Sequence, residues 1–178
     1  LVQADLAICE GGGSSLGRLG GDVPLISVGS GEKGRFDISF VCRAEGGHAA
    51  APWGRVNPLA ELGKLLARIA EWQPEAYPAS PVFGYLGGAI GIAEGIVKAN
   101  LAEAIGKIDA LAPALGRSLR AQSRMTLTPT ILHGGEGSNV IPSEARLICD
   151  SRLLPGQMRE ALESVVRGLA EGIAGLES

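Results

Sequence analysis

Nineteen acidic against sixteen basic side chains leave this 178-residue chain with a formal charge of −3. The bases are scattered, which excludes an electrostatic footprint for nucleic acid or a membrane surface. The length suffices to bury roughly 70% of the unfolded surface without cross-links. The 27 glycines, about twice the usual ~7% share, point to many turns and close backbone approaches, and aromatics at 4% leave the core to aliphatic residues.

Cys9, Cys42 and Cys149 are odd in number, lack CxxC spacing and sit among apolar neighbours. They read as buried reduced thiols in a cytoplasmic protein. The longest apolar run, "YLGGAIGIAEGIVKA", is interrupted by Glu94 and falls short of the ~20 residues a membrane span needs.

In chain order, "DLAICE" reads as a short buried strand ending at Glu10, the loop "GGGSSLGRLGGD" follows, and "VPLISVGS" is a second apolar run. These segments hold too little apolar surface for a core and are expected to be the trailing edge of a domain lying upstream. "GEKG" is a turn. From Arg35 the chain alternates, with Phe36, Ile38, Phe40 and Cys42 on one face and Asp37, Ser39, Val41 and Arg43 on the other, the period of a half-buried strand. After a Gly- and Ala-rich loop around His48, Asn57 is placed to cap a helix with Pro58 in its first turn. Leu59, Leu62, Leu65, Leu66, Ile69 and Trp72 then recur at helical spacing as far as Pro74.

Residues 74 to 124 start Pro-rich and continue with Leu86, Ile90, Val97, Leu101, Ile105 and Ile108 at near-helical intervals, a helical insertion. "RMTLTPTIL" is a second strand, which Pro129 confines to a sheet edge or a bulge. "EARLICDSRLL" is a third, setting Ala145, Leu147, Cys149 and Ser151 opposite Arg146, Ile148, Asp150 and Arg152. A helix after Gly156 would carry Met158, Leu162, Val165, Val166, Leu169 and Ile173 inward. The order from Arg35 is strand, helix, strand, strand, helix. This is an α+β, ferredoxin-like split βαβ sandwich with both helices on one face of an antiparallel sheet; a completing strand is expected just after Ser178, the alternative being a sheet of three strands.

Three polar constellations carry possible chemistry: His48 among small residues, Asn139 in "GGEGSNVIP", and Arg152 with Asp150 closing the third strand. Each has a plainer account. His48 fits a solvated turn, Asn139 an Asx-type turn, and Arg152 a surface pair with Asp150 that is worth little.

Taken in order, "ICEGGG", "EKGRFDISFVCRAEGGHAAAPWGRVNP" and "TLTPTILHGGEGSNVIPSEARLICDSRLLPG" resemble the successive signatures of a zinc-dependent metallopeptidase family. That family includes aminoacylase, acetylornithine deacetylase, succinyl-diaminopimelate desuccinylase and glutamate carboxypeptidase. The resemblance implies that residues 1–34 trail from a zinc catalytic domain and that residues 35–178 are the lid, or dimerisation, domain, with the insertion at about 74–124. It implies a metal-ligand role for Glu10, a catalytic lid-histidine role for His48, and substrate binding by Asn139 and Arg152, the latter through a substrate carboxylate. It assigns His133 no role. It further implies a homodimer, a peptide or N-acyl amino acid substrate, and two zinc ions in the full-length enzyme.

The chemistry suits these residue types. An amide under attack becomes an oxyanion, which a histidine N–H and an asparagine amide stabilise where charge develops. An arginine offers a planar fork to a carboxylate. The family's other metal ligands and its glutamate base have no counterpart in the sequence, and Glu10 alone is no zinc site, since about three protein ligands are needed. The chain by itself is therefore expected to bind no catalytic zinc tightly and to be inactive. A rival reading makes the same fold a dimeric regulatory domain that binds a small ligand such as an amino acid. A phosphate-cradling role for "ICEGGGSSLGRL" lacks the GK[ST] it would need.

Overall fold

The computed structural model describes residues 14–17, 25–27, 29, 31–77, 83 and 100–177. In chain order the elements are β1 (Ser14–Gly17), β2 (Leu25–Ser27), β3 (Gly34–Arg43), β4 (Gly47–His48), α1 (Pro58–Glu71), α2 (Leu101–Leu111), α3 (Pro113–Gln122), β5 (Thr126–Gly134), β6 (Val140–Ile141), β7 (Glu144–Leu153) and α4 (Arg159–Ala170). They divide between two compact units, residues 1–32 with 78–123, and residues 33–77 with 124–178.

The larger unit is built on a three-stranded antiparallel sheet of order β3-β7-β5. Strands β3 and β7 pair without a break from Gly34↔Leu153 to Arg43↔Glu144, and each alternates as its sequence predicts. Phe40, Cys42, Ala145, Leu147, Cys149, Ser151 and Leu153 are buried, while Asp37, Ser39, Arg43 and Arg146 face outward. Strand β5 is an edge strand, and its register shifts between Pro129 and Ile131. Pro129 thus sits at both an edge and a bulge, where its missing N–H does least harm.

Asn57 caps α1 through its side-chain oxygen, which accepts from Leu59 N at 3.0 Å, and Pro58 occupies the first turn. Leu62, Leu65 and Ile69 bury one stripe of the helix against Phe40, Cys42, Leu127, Leu147 and Cys149, and Val166 and Leu169 of α4 join the same cluster. Both helices therefore cover one sheet face, the ferredoxin-like sandwich. Each fully buried leucine adds roughly 1.5–3 kcal/mol. Two positions depart from the helical expectation. Met158 is the N-cap of α4 and 72% exposed rather than inward, because the helix begins after it. Ile173 is buried, but beyond the helix end.

The expected completing strand is already prefigured before Ser178. Cys42 bridges antiparallel to Leu176, Arg43 N donates to Gly175 O at 2.7 Å, and Glu177 N donates to Val41 O at 2.9 Å. This is the outer edge of β3, where the fourth strand of a split βαβ sheet lies. Gly175 makes the approach with φ +70, and a Cβ there would run into the Arg43 carbonyl oxygen, so no other residue fits.

In the smaller unit, β1 pairs antiparallel with β2. Helices α2 and α3 meet at Ala112, whose backbone (φ −147, ψ 82) leaves the helical region, as suits the residue before Pro113. Leu101, Ala104, Ile105, Ile108 and Leu119 form an aliphatic core with Phe83. Leu86, Ile90 and Val97, expected in the helical insertion, lie outside the described residues, as does Glu10.

Candidate functional site

His48 lies in β4, a two-residue strand paired antiparallel with β6 through Gly47↔Ile141 and His48↔Val140. Ala49 N extends the ladder by donating to Asn139 O at 2.9 Å. Two segments that are ninety residues apart in sequence are thereby fastened side by side, and His48 and Asn139 become neighbours, both exposed. Glycines permit the approach. A Cβ on Gly46 would stand 2.9 Å from Ile141 O and 3.3 Å from Ser143 N.

After His48 the backbone makes two successive turns, closed by Ala51 N donating to His48 O at 3.0 Å and Arg55 N donating to Pro52 O at 3.3 Å, with Gly54 at φ +74. Trp53, at the tip, is 84% exposed. Within the first turn the Ala50 N–H donates to His48 Nδ1 at 3.1 Å. A backbone N–H can only donate, so Nδ1 must be the acceptor, and the proton of the neutral ring sits on Nε2. The loop presents His48 as an Nε2–H donor.

Arg152 is elsewhere. It closes the opposite end of β7, in register with Arg35 on β3 and Thr126 on β5. From Ala145, beside the His48 end, to Arg152 is about 23 Å at about 3.3 Å per strand residue. Arg152 donates to Asp150 from Nε at 2.8 Å and from Nη2 at 3.1 Å, and Arg35 Nε reaches the same carboxylate at 3.0 Å. The Arg152 hydrogen bond, with both guanidinium charges, holds the Asp150 carboxyl below its ordinary value. Lys33 donates to Arg124 O at 2.7 Å; burial and then the Arg152 charge lower its pKa against the pull of Asp150. Asp150 thus splays two guanidinium groups at this end of the sheet.

The structure therefore joins His48 with Asn139 and sets Arg152 apart. His133, on β5, pairs in register with Arg146 of β7 and is exposed. Among the described residues no group of three His, Cys, Asp or Glu could hold a metal ion, so the described residues do not fit a zinc site. Among them, too, no helix is long and apolar enough to cross a membrane. The β4–β6 pairing and the Ala50 contact have no periodic signature. The only sequence hint is the β-branched pair Val140–Ile141.

The family model of the peptidase dimerisation domain matches residues 30–175. Among solved structures, the chain is similar to an M20 family metallo-carboxypeptidase, Sso-CP2, from Sulfolobus solfataricus, at 15% identity and a TM-score of 0.54, over 81% of this chain and 41% of that one. It is also similar to the di-peptidase Dug1p from Saccharomyces cerevisiae, at 12% identity and a TM-score of 0.50, over 82% of this chain and 34% of that one. At such identities the likeness is one of fold, and the chain spans less than half the length of either. No curated protein matches it by sequence.

Proposed function

Because the chain belongs to the peptidase dimerisation domain family, we propose that it is the lid and dimerisation domain of a zinc-dependent amide hydrolase acting on a peptide or N-acyl amino acid. Residues 1–34 would trail from the catalytic domain, with Glu10 as one metal ligand, and the chain alone would be inactive. In this reading the His48 Nε2–H and the Asn139 amide donate to the oxygen on which charge develops. Arg152, its Nε and Nη2 held by Asp150, meets the substrate carboxylate through the other edge of its guanidinium.

The observation that carries the reading is the length of β7 between the two ends. The β4–β6 ladder lies beyond the Glu144 end of β7 and Arg152 near its other end, about 23 Å from Ala145 along the strand, which supports His48 with Asn139 serving a different site from the Arg152 of the same chain. Two copies of the domain complete each site, one giving His48 and Asn139 in trans and the other giving Arg152 in cis. The edge of β5 suits such pairing. Ile131 and Leu132 are about half exposed there, and Leu59 of α1 packs against the end of the same strand at Gly134; an open strand edge invites a second copy.

Subunit exchange in the full-length protein tests this. His48→Ala should be nearly inactive, since loss of one oxyanion donor typically costs ~10²–10³ in turnover, and Glu10→Ala should be nearly inactive through loss of the metal. Mixed and exchanged, they create one intact site per heterodimer, and activity should return toward half that of wild type. A mixture that stays inactive with exchange confirmed rejects the trans assignment.

A further inference from the structure

We propose that Arg55 is a positioning residue for His48: its guanidinium lies across Gly47 and holds the Gly46 carbonyl, fixing the short strand that aims the imidazole. For its functional meaning this rests on the role of His48 proposed above; for its geometry it does not.

Three observations converge on Arg55. Its Nη1 donates to Gly46 O at 3.1 Å. A Cβ built on Gly47 would meet the Arg55 Cδ, Nε and Cζ atoms all at 3.1 Å, so the side chain passes flat over that glycine and covers the backbone immediately before His48. The Arg55 backbone N–H closes the Pro52 turn, which brings the side chain back over the strand it has just left. Its nearest carboxylate, Glu45 Oε1, is 3.7 Å away, and that side chain is 92% exposed, so the pair is loose and solvated and does little to dictate where Arg55 points.

The division of labour follows from the size of the β4–β6 ladder. Two residue pairs make a marginal sheet, and Gly46 is pinned by its close approach to Ile141 O. Arg55 covers the next residue, Gly47. Without it, Gly46 and Gly47, the most conformationally permissive pair available, would be free to rotate, and the peptide feeding His48 would turn with them. The Ala50 N–H to Nδ1 bond that sets the tautomer spans the next two residues and needs that backbone held. Arg55 also borders a cavity of about 260 Å³ lined by Arg43, Ala44, Glu45, Gly54 and Val56, roomy enough for a free guanidinium ion once the side chain is removed.

The test uses the 178-residue chain, whose two histidines are readily told apart by long-range proton–nitrogen NMR. Wild type should show His48 as the Nε2–H tautomer with Nδ1 accepting. Arg55→Ala should mix the tautomers of His48 and shift the Ala50 amide, leaving His133 unchanged as the internal control of folding. Millimolar guanidinium should restore the wild-type pattern, and Arg55→Lys, whose ammonium can donate but has no plane to lie over Gly47, should recover it only in part. Gly47→Ala, which displaces the Arg55 side chain, should reproduce the Arg55→Ala spectrum with the arginine present. A His48 spectrum that stays wild type in folded Arg55→Ala overturns the proposal.

In the full-length enzyme Arg55→Ala should lower kcat about tenfold with KM held, within what a small misplacement of a reacting group costs, and should add nothing to His48→Ala. A changed His48 spectrum with unchanged kcat supports the bracing and rejects the role of His48, which keeps the two failures distinct.

Discussion

Glu61 sits in the first turn of α1 and is buried, an unusual place for a carboxylate unless it is matched. Its Oε1 receives Lys64 Nζ at 2.6 Å and its Oε2 receives Ala174 N at 3.1 Å. Together with Arg68 Nη1, which donates to Leu169 O at 2.9 Å and Glu171 O at 2.5 Å, it ties α1 to the turn that leads the chain to the edge of β3. Glu61→Ala removes a charge-assisted bond to a backbone N–H, worth about 1–2 kcal/mol for a partly exposed partner. It also removes the favourable charge at a helix N-terminus, about 0.5 kcal/mol, and a half-exposed i,i+3 pair worth about 0.3 kcal/mol. The expected loss is about 2–3 kcal/mol at pH 7, read from urea unfolding. Glu61→Gln keeps a neutral acceptor for Ala174 and should lose about half of that.

The pH dependence is the sharper check. The Lys64 hydrogen bond lowers the Glu61 pKa, burial opposes it, and the Ala174 N–H adds to the lowering. A carboxylate with its folded pKa below the unfolded value of about 4.3 gives stability that is whole above that value and is lost as pH falls through the folded pKa. The gap between wild type and Glu61→Gln should therefore hold from pH 7 to about 5 and close toward pH 3. A gap that stays constant over the whole range would refute the ionised, strapped Glu61.

Ser151 is fully buried on the inner face of β7, and its hydroxyl has no hydrogen-bond partner among the described residues, so Ser151→Ala should leave stability unchanged or raise it by up to about 1 kcal/mol in thermal unfolding. Burial pushes the Cys149 thiol up to about 11 and raises that of Cys42, which donates to Ala174 O at 3.2 Å. At pH 8 neither should be alkylated in the folded chain, and both should be alkylated in urea; modification of Cys149 without unfolding would contradict the packing of the core.

The sheet was legible because its signal is period two and survives burial. Phe36 to Cys42 and Ala145 to Ser151 each keep one face apolar over most of a ten-residue strand. The α1 cap at Asn57 and Pro58 was equally plain, since both residues act locally. Pairings of two residues have no period to read, which hides β4 and β6. The bracing of Gly47 by Arg55 depends on a contact made only after two turns. Met158 misleads because an apolar residue just before a helix shares its spacing but not its face. The length of β7, which sets Arg152 about 23 Å from Ala145, is derivable from the strand assignment alone, because a motif order carries no distance while an extended strand of known length does.

That strand also acts as a lever arm. With β7 hydrogen-bonded on both sides and packed on two helices, its ends move together. A tilt of only about 5° about one end carries the other some 2 Å over a span of about 23 Å, more than a hydrogen bond tolerates. Substitutions in the aliphatic layer beneath it, at Leu65 or Leu147, need touch neither polar cluster to disturb the alignment between them. The stiffness of the sheet is then itself a functional property, open to measurement as activity lost before any loss of fold.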